Sequence, residues 1–201
     1  MPGATTNTKT RIIDAALQMF AKEGYDKVTM RDIAGAVGIL SGSIYGHYKS
    51  KESILQACYD YYIENRFTNR LTKGQYLPIL KSGTKEDVVE ALNYSFSEEI
   101  LDKMIAALFI IYSRLYIDPQ AREIYAEEIN ESLKYLNEFF RAGIEIGRFS
   151  EFNIAPISLI YFSARLFTAK SVTLRPEEAG EWRVAEMNMF GELTKLIPFI
   201  Y

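Results

Sequence analysis

The chain has 201 residues, 48% hydrophobic and 24% charged, which is enough for one large or two small domains with a sizeable core. One cysteine, Cys58, and one histidine, His47, exclude an internal disulfide and a zinc site of the usual kinds, and no run reaches the roughly 18 apolar residues of a membrane span. The net charge of −3 hides an asymmetry: residues 1–54 carry seven Lys/Arg against five Asp/Glu, and the remainder sixteen against twenty-one, so a mildly basic head precedes an acidic body.

Taken in chain order, residues 1–7 are small and polar with no apolar signal core, so the expected location is cytoplasmic. Ile13, Ala16, Leu17 and Phe20 follow the i, i+3, i+4, i+7 spacing of an amphipathic helix over 10–22, stopped near Gly24. Thr29-Met30-Arg31-Asp32 has the form of a capping box and opens a short helix over 30–37, which Gly38 breaks. A second short helix is predicted over 41–48, and Ser50 caps a longer one carrying Ile54, Leu55, Cys58, Tyr62 and Phe67. Residues 71–83, with Gly74, Pro78 and Gly83, read as a loop. Helices are then expected over 88–96, 104–116, 119–146, 153–174 and 181–197. Asp118-Pro119 marks one start and Gly147 a left-handed stop. No segment alternates with period 2, so the fold class is all-α with about nine helices.

Two short helices joined at Gly38 and supported by a longer one make a helix-turn-helix candidate. With Ile44 and Tyr48 facing inward, Gly42, Ser43, Tyr45 and Gly46 point outward, flanked by Ser41 and His47. That face has no aliphatic side chain and no carboxylate. A helix-interior glycine costs roughly 1 kcal/mol relative to alanine, so Gly42 and Gly46 call for a reason, and close approach to another molecule is one.

Residues 10–55 resemble the TetR (tetracycline-repressor-like) family. The resemblance lies in Arg11-Ile12-Ile13-Asp14-Ala15-Ala16, Phe20-Ala21, Gly24-Tyr25, Thr29 to Ala34, Val37-Gly38 and Gly42 to Glu52. It implies a DNA-binding domain over 1–52 and an effector-binding and dimerisation domain over 53–201. It also implies a ligand-responsive regulator, a repressor by expectation, that binds palindromic double-stranded operator DNA as a homodimer without a cofactor. Position by position, Thr29 is expected at a phosphate and Arg31 at a base or phosphate. Ser41, Gly42 and Ser43 should enter the groove, and Tyr45, His47 and Lys51 should contact phosphates. The chain departs from the pattern twice. Leu40 stands where a polar cap is usual and Ser41 where Lys is common, which predicts weaker non-specific binding or an unusual operator. The rival reading, a helix-turn-helix-like module that binds protein rather than DNA, leaves Tyr45, His47 and Lys51 unexplained.

Fourteen Tyr and twelve Phe lie mostly after residue 55. Tyr62, Arg66, Phe67, Met104, Leu108, Ile111, Tyr112, Phe140, Tyr161 and Arg165 sit on helices that would converge, and several buried hydroxyls and guanidinium groups need partners. They are the expected lining of a pocket for a small apolar or aromatic effector. The last two predicted helices are apolar nearly all round, so Leu159, Phe162, Leu166, Met189 and Leu193 are expected in a dimer interface. No nucleophile–base pair, phosphate-binding glycine loop or metalloprotease motif is present, and the acidic clusters read as solvated, so no metal and no enzyme activity are expected.

Overall fold

The computed structural model describes residues 7–93, 98–178, 180, 181, 184, 185, 188, 192 and 195–200. Its α-helices are α1 (Thr8–Glu23), α2 (Met30–Val37), α3 (Ile44–His47), α4 (Lys51–Asn65), α5 (Lys73–Ser82), α6 (Lys85–Asn93), α7 (Glu98–Ser113), α8 (Pro119–Glu145) and α9 (Ile154–Leu174). Among the described residues there is no strand, only an isolated antiparallel bridge between Phe149 and Phe199. The chain belongs to the all-α class.

Helix starts repeat one device, in which a hydroxyl accepts from the third amide while that third residue reaches back. It joins Thr29 to Asp32 before α2, Ser50 to Ser53 before α4, and Thr84 to Asp87 before α6. Two helices end on a glycine in the left-handed region, Gly38 and Gly147, both at φ 74°. At each, the next residue's amide reaches back five positions, Ile39 to the Ala34 carbonyl at 3.0 Å and Arg148 to that of Gly143 at 2.8 Å. This is the double closure of a Schellman stop.

Residues 71–83 are not the expected loop. They form α5, with Pro78 inside it. Thr72 and Gln75 cap its start, and Tyr76 and Leu80, four apart, are buried. Pro78 and Gly74 both face solvent, so the carbonyl that loses its bond to a proline nitrogen stays accessible to water. The recognition segment is also shorter than predicted: 41–43 are a turn and α3 has four residues.

The contacts divide the chain into two compact units, Met1–Phe67 with Glu98–Arg122, and Thr68–Ser97 with Glu123–Tyr201. This is a division by packing and does not bear on the division by role at residue 52. In the first unit α1 packs on α2, α4 and α7, and α4 on α7. Ile12, Ala16, Ile33, Ala34, Ile44, Ile54, Cys58 and Ile111 are fully buried there. The second unit is built on aromatic residues. Tyr76, Phe139, Phe140, Phe149 and Tyr161 join Leu80, Val88, Leu92 and Ile197 in one cluster. Within it, Gly143 is required by space, because a Cβ there would lie 2.1 Å from the Phe149 ring. The predicted helix over 181–197 falls mostly outside the described residues. Its end returns to the cluster, with Ser150 donating to the Pro198 carbonyl at 2.9 Å and Ile200 to that of Arg148 at 2.8 Å.

Candidate nucleic-acid interface

The segment from Thr29 to Lys51 is built so that its inner residues fix the outer ones. Ile33, Ala34 and Val37 bury one face of α2, and Ile44 is fully buried beneath α3. The Arg11 guanidinium donates to the Val37 carbonyl at the C-terminal end of α2, where a cation suits both the open carbonyl and the helix dipole. Gly38 turns the chain, Ser43 donates to the Leu40 carbonyl at 2.8 Å, and Tyr48 donates to that of Ile44 at 2.9 Å. The turn and the short helix are thereby pinned from both ends.

What this scaffold presents outward is polar. Thr29, Arg31, Ser41, Gly42, Ser43, Tyr45 and Gly46 are exposed, and His47 is half-buried. The Thr29 hydroxyl donates to Asp32 at 2.7 Å, and that hydrogen bond together with the one from the Thr29 amide holds the Asp32 carboxyl below its ordinary value. Neither Gly42 nor Gly46 has a positive φ, and a Cβ added to either would meet nothing within 4 Å. No internal contact therefore asks for glycine at these two places.

Lys51, expected at a phosphate, is turned inward in the free chain. Its ammonium donates to the carbonyls of Tyr25 at 2.9 Å and Val28 at 3.0 Å, and lies 4.2 Å from the centre of the Tyr25 ring. Two of the three donors of a lysine are thus committed to tying the first turn of α4 to residues 25–28. Lys49 is exposed, with its ammonium 3.1 Å from the Tyr45 carbonyl.

Behind Lys51 lies a polar network that sequence reasoning missed. The Tyr25 hydroxyl donates to Glu52 at 3.2 Å, and burial together with that carboxylate pushes the phenol up to about 12. The Arg114 guanidinium sits 4.3 Å from the Tyr25 ring centre and 3.5 Å from Asp118. Asp118 accepts from the Tyr59 hydroxyl at 2.9 Å and caps α8 through the amides of Gln120 and Ala121 at 3.0 and 3.4 Å. Burial opposes its charge, but the bonds from Tyr59, those amides and Arg114 prevail, and its carboxyl sits below the ordinary value. Only the Asp118-Pro119 cap was visible in the sequence. Tyr59, the long-range partner of Asp118, and Glu52 and Arg114, which meet Tyr25, come from segments far away along the chain. Cys58 is buried, and burial pushes its thiol up to about 12, which leaves it without thiolate reactivity.

The expected effector residues divide between the two units. In the first, Tyr62, Met104 and Ile111 are buried, Leu108, Arg66 and Phe67 half-buried and Tyr112 exposed, with the Arg66 guanidinium 4.7 Å from the Phe67 ring centre. In the second, Phe140 and Tyr161 are buried, and burial raises the Tyr161 phenol well above its ordinary value. The Arg165 side chain lies outside the described ones. Of the expected interface, Leu159 is 53% exposed and Phe162 half-buried, whereas Met189, Leu193 and the Leu166 side chain lie outside the description.

Residues 12–58 match the family described as bacterial regulatory proteins, tetR family. The chain is 31% identical over 143 residues to the HTH-type transcriptional repressor KstR2 of Rhodococcus jostii, covering 70% of this chain and 67% of that one. It is 30% identical over 141 residues to IcaR, the negative regulator of the biofilm operon icaADBC in Staphylococcus aureus, covering 66% of this chain and 69% of that one. The fold is similar to the solved structure of a tetR-family regulatory protein from Rhodococcus RHA1, with a TM-score of 0.64, 21% identity and coverage of 98% and 100%. The chain belongs to the TetR family and is a DNA-binding transcriptional regulator, not an enzyme.

Proposed function

We propose that this regulator is a repressor that binds a palindromic operator as a homodimer and is released by a small apolar or aromatic effector. Residues 1–52 read the DNA, and residues 53–201 hold the effector and the partner subunit. The observation that carries the reading is the pair Gly42 and Gly46 on an exposed face, each with open space where a Cβ would be. Gly46 lies within α3, where a glycine forfeits roughly 1 kcal/mol relative to alanine, whereas Gly42 lies in the turn just ahead of it. Backbone approach to a duplex explains that loss where no internal contact does. Around the glycines, Ser41, Ser43, Tyr45 and His47 supply donors suited to phosphates and base edges, and Thr29 and Arg31 flank them on α2.

Support for a homodimer comes from α9. It buries Ser158, Tyr161 and Ala164 on one side, while Leu159, Ile160 and Phe167 are 53%, 41% and 58% exposed in the single chain. Apolar side chains displayed in a row along a helix fit a second copy of the same helix. The effector reading rests on the aromatic residues of both units and on Arg66. For release, the effector must bind the DNA-incompetent state more tightly, and operator DNA must weaken effector binding by the same factor.

Selection of bound duplexes from a random pool, with sedimentation of the free protein, tests the proposal. The expected result is a dimer and an inverted repeat with half-sites about one helical turn apart, roughly 34–36 Å. A monomer at micromolar concentration would contradict the interface. Failure to enrich any sequence would favour the protein-binding alternative.

A further inference from the structure

Leu40 is 79% exposed, and the next most exposed large aliphatic side chain described within residues 7–67, Ile63, is 39% exposed. Its backbone is nonetheless firmly held. On one side Ile39 donates to the Ala34 carbonyl at 3.0 Å and is half-buried, and on the other the Leu40 carbonyl accepts from Ser43 at 2.8 Å. The branched side chain is therefore displayed from a fixed position, immediately ahead of the exposed Ser41, Gly42 and Ser43. Burial in the fold does not explain it, and a polar residue there would cap the turn. Leu40 is the single aliphatic group on a face that is otherwise hydroxyl, phenol and bare backbone.

In helix-turn-helix proteins the leading residues of the recognition helix meet base edges in the major groove. Those edges offer donors, acceptors and one apolar feature, the C5-methyl group of thymine. We propose that Leu40 is a specificity-determining residue that packs on the C5-methyl of a thymine in each half-site. The inference rests on the operator-binding reading above and adds to it a base identity at one position. It also turns the departure at Leu40 from a lost cap into a reading element.

The test uses the full chain and a duplex selected by it from a random pool, resynthesised with deoxyuridine in place of each thymine in turn. Deoxyuridine keeps the pairing edge and removes only the methyl. One thymine per half-site should exist at which this change weakens binding by the parent about fourfold, the value of one buried methyl-sized group. Leu40→Ala should bind the thymine duplex more weakly by a similar factor and be indifferent to deoxyuridine at that position. Exposure of Leu40 predicts an unchanged thermal melt for the variant, which keeps folding out of the comparison. A parent insensitive to every thymine methyl, or a deoxyuridine loss of equal size in parent and Leu40→Ala, would overturn the assignment. A pool that enriches no sequence would overturn the operator reading itself, which is a separate result.

Discussion

The two packing units differ in the balance between polar ties and aromatic contacts. In Met1–Phe67 with Glu98–Arg122, named polar pairs join distant segments: Lys51 to residues 25–28, Arg114 to the Tyr25 ring, Asp118 to Tyr59, and Lys103 to Asp14 at 3.0 Å. In the second unit Arg70 reaches Ser132 at 2.6 Å and Arg148 donates to the Gly83 carbonyl at 2.8 Å, and to these ties an extended set of ring contacts is added. Phe140 alone lies 5.6 to 6.3 Å from Phe139, Phe149, Phe152 and Tyr161, centroid to centroid. Hydrogen bonds and charge pairs fix direction and position more than they add net stability, whereas aromatic rings add a large buried area in edge-to-face and tilted contacts. The first suits a DNA-binding domain, whose polar face has to be held in one geometry. The second suits a body organised around one aromatic cluster.

Substitutions should separate the two. The largest effect is expected from Phe140→Ala, which removes a fully buried ring from the centre of the aromatic cluster and should cost about 3–5 kcal/mol in denaturant unfolding. Gly143→Ala, which adds one carbon against the Phe149 ring, should cost up to about 3 kcal/mol through overpacking. In the other unit Asp118→Asn keeps the shape and removes the charge that Tyr59 and Arg114 answer, and should cost about 2 kcal/mol. Its pH signature distinguishes it. The Asp118 carboxyl lies below its unfolded value, so its contribution is complete above about pH 4 and fades as pH falls through the depressed folded value. Stability of Asp118→Asn should therefore fall less steeply with acid than that of the parent. The smallest effect has the opposite sign. Gly46→Ala should raise stability by up to about 1 kcal/mol while weakening DNA binding. A stabilised variant with parental affinity would leave Gly46 without a role at the duplex.

Short-range chemistry was readable in the sequence, and long-range pairing was not. The Thr29–Asp32 box, the break at Gly38, the left-handed stop at Gly147 and the Asp118 cap each involve residues within a few positions of one another, and helix-terminus rules act over that distance. Helix α5 was missed because Gly74 and Pro78 act as breakers in the abstract, while their solvent-facing placement is a tertiary fact. Its own signals, Thr72 with Gln75 and the spacing of Tyr76 and Leu80, were present. The inward turn of Lys51 was hidden for a related reason: its carbonyl partners lie 26 and 23 residues away. Likewise nothing local pairs Arg114 with Tyr25. Exposure too depends on the whole fold, so the display of Leu40 and of Leu159 on α9 appears only with the structure.

The central claim is that the exposed face from Ser41 to His47 is the surface that meets DNA. It is tested most directly by titrating one selected duplex with the parent and with Tyr45→Ala, alongside thermal melts of both. Tyr45 is 49% exposed, so the melts should coincide, while loss of a phosphate contact should weaken binding about tenfold and to a similar degree on every sequence. Equal affinities of parent and variant for the duplex would contradict the claim.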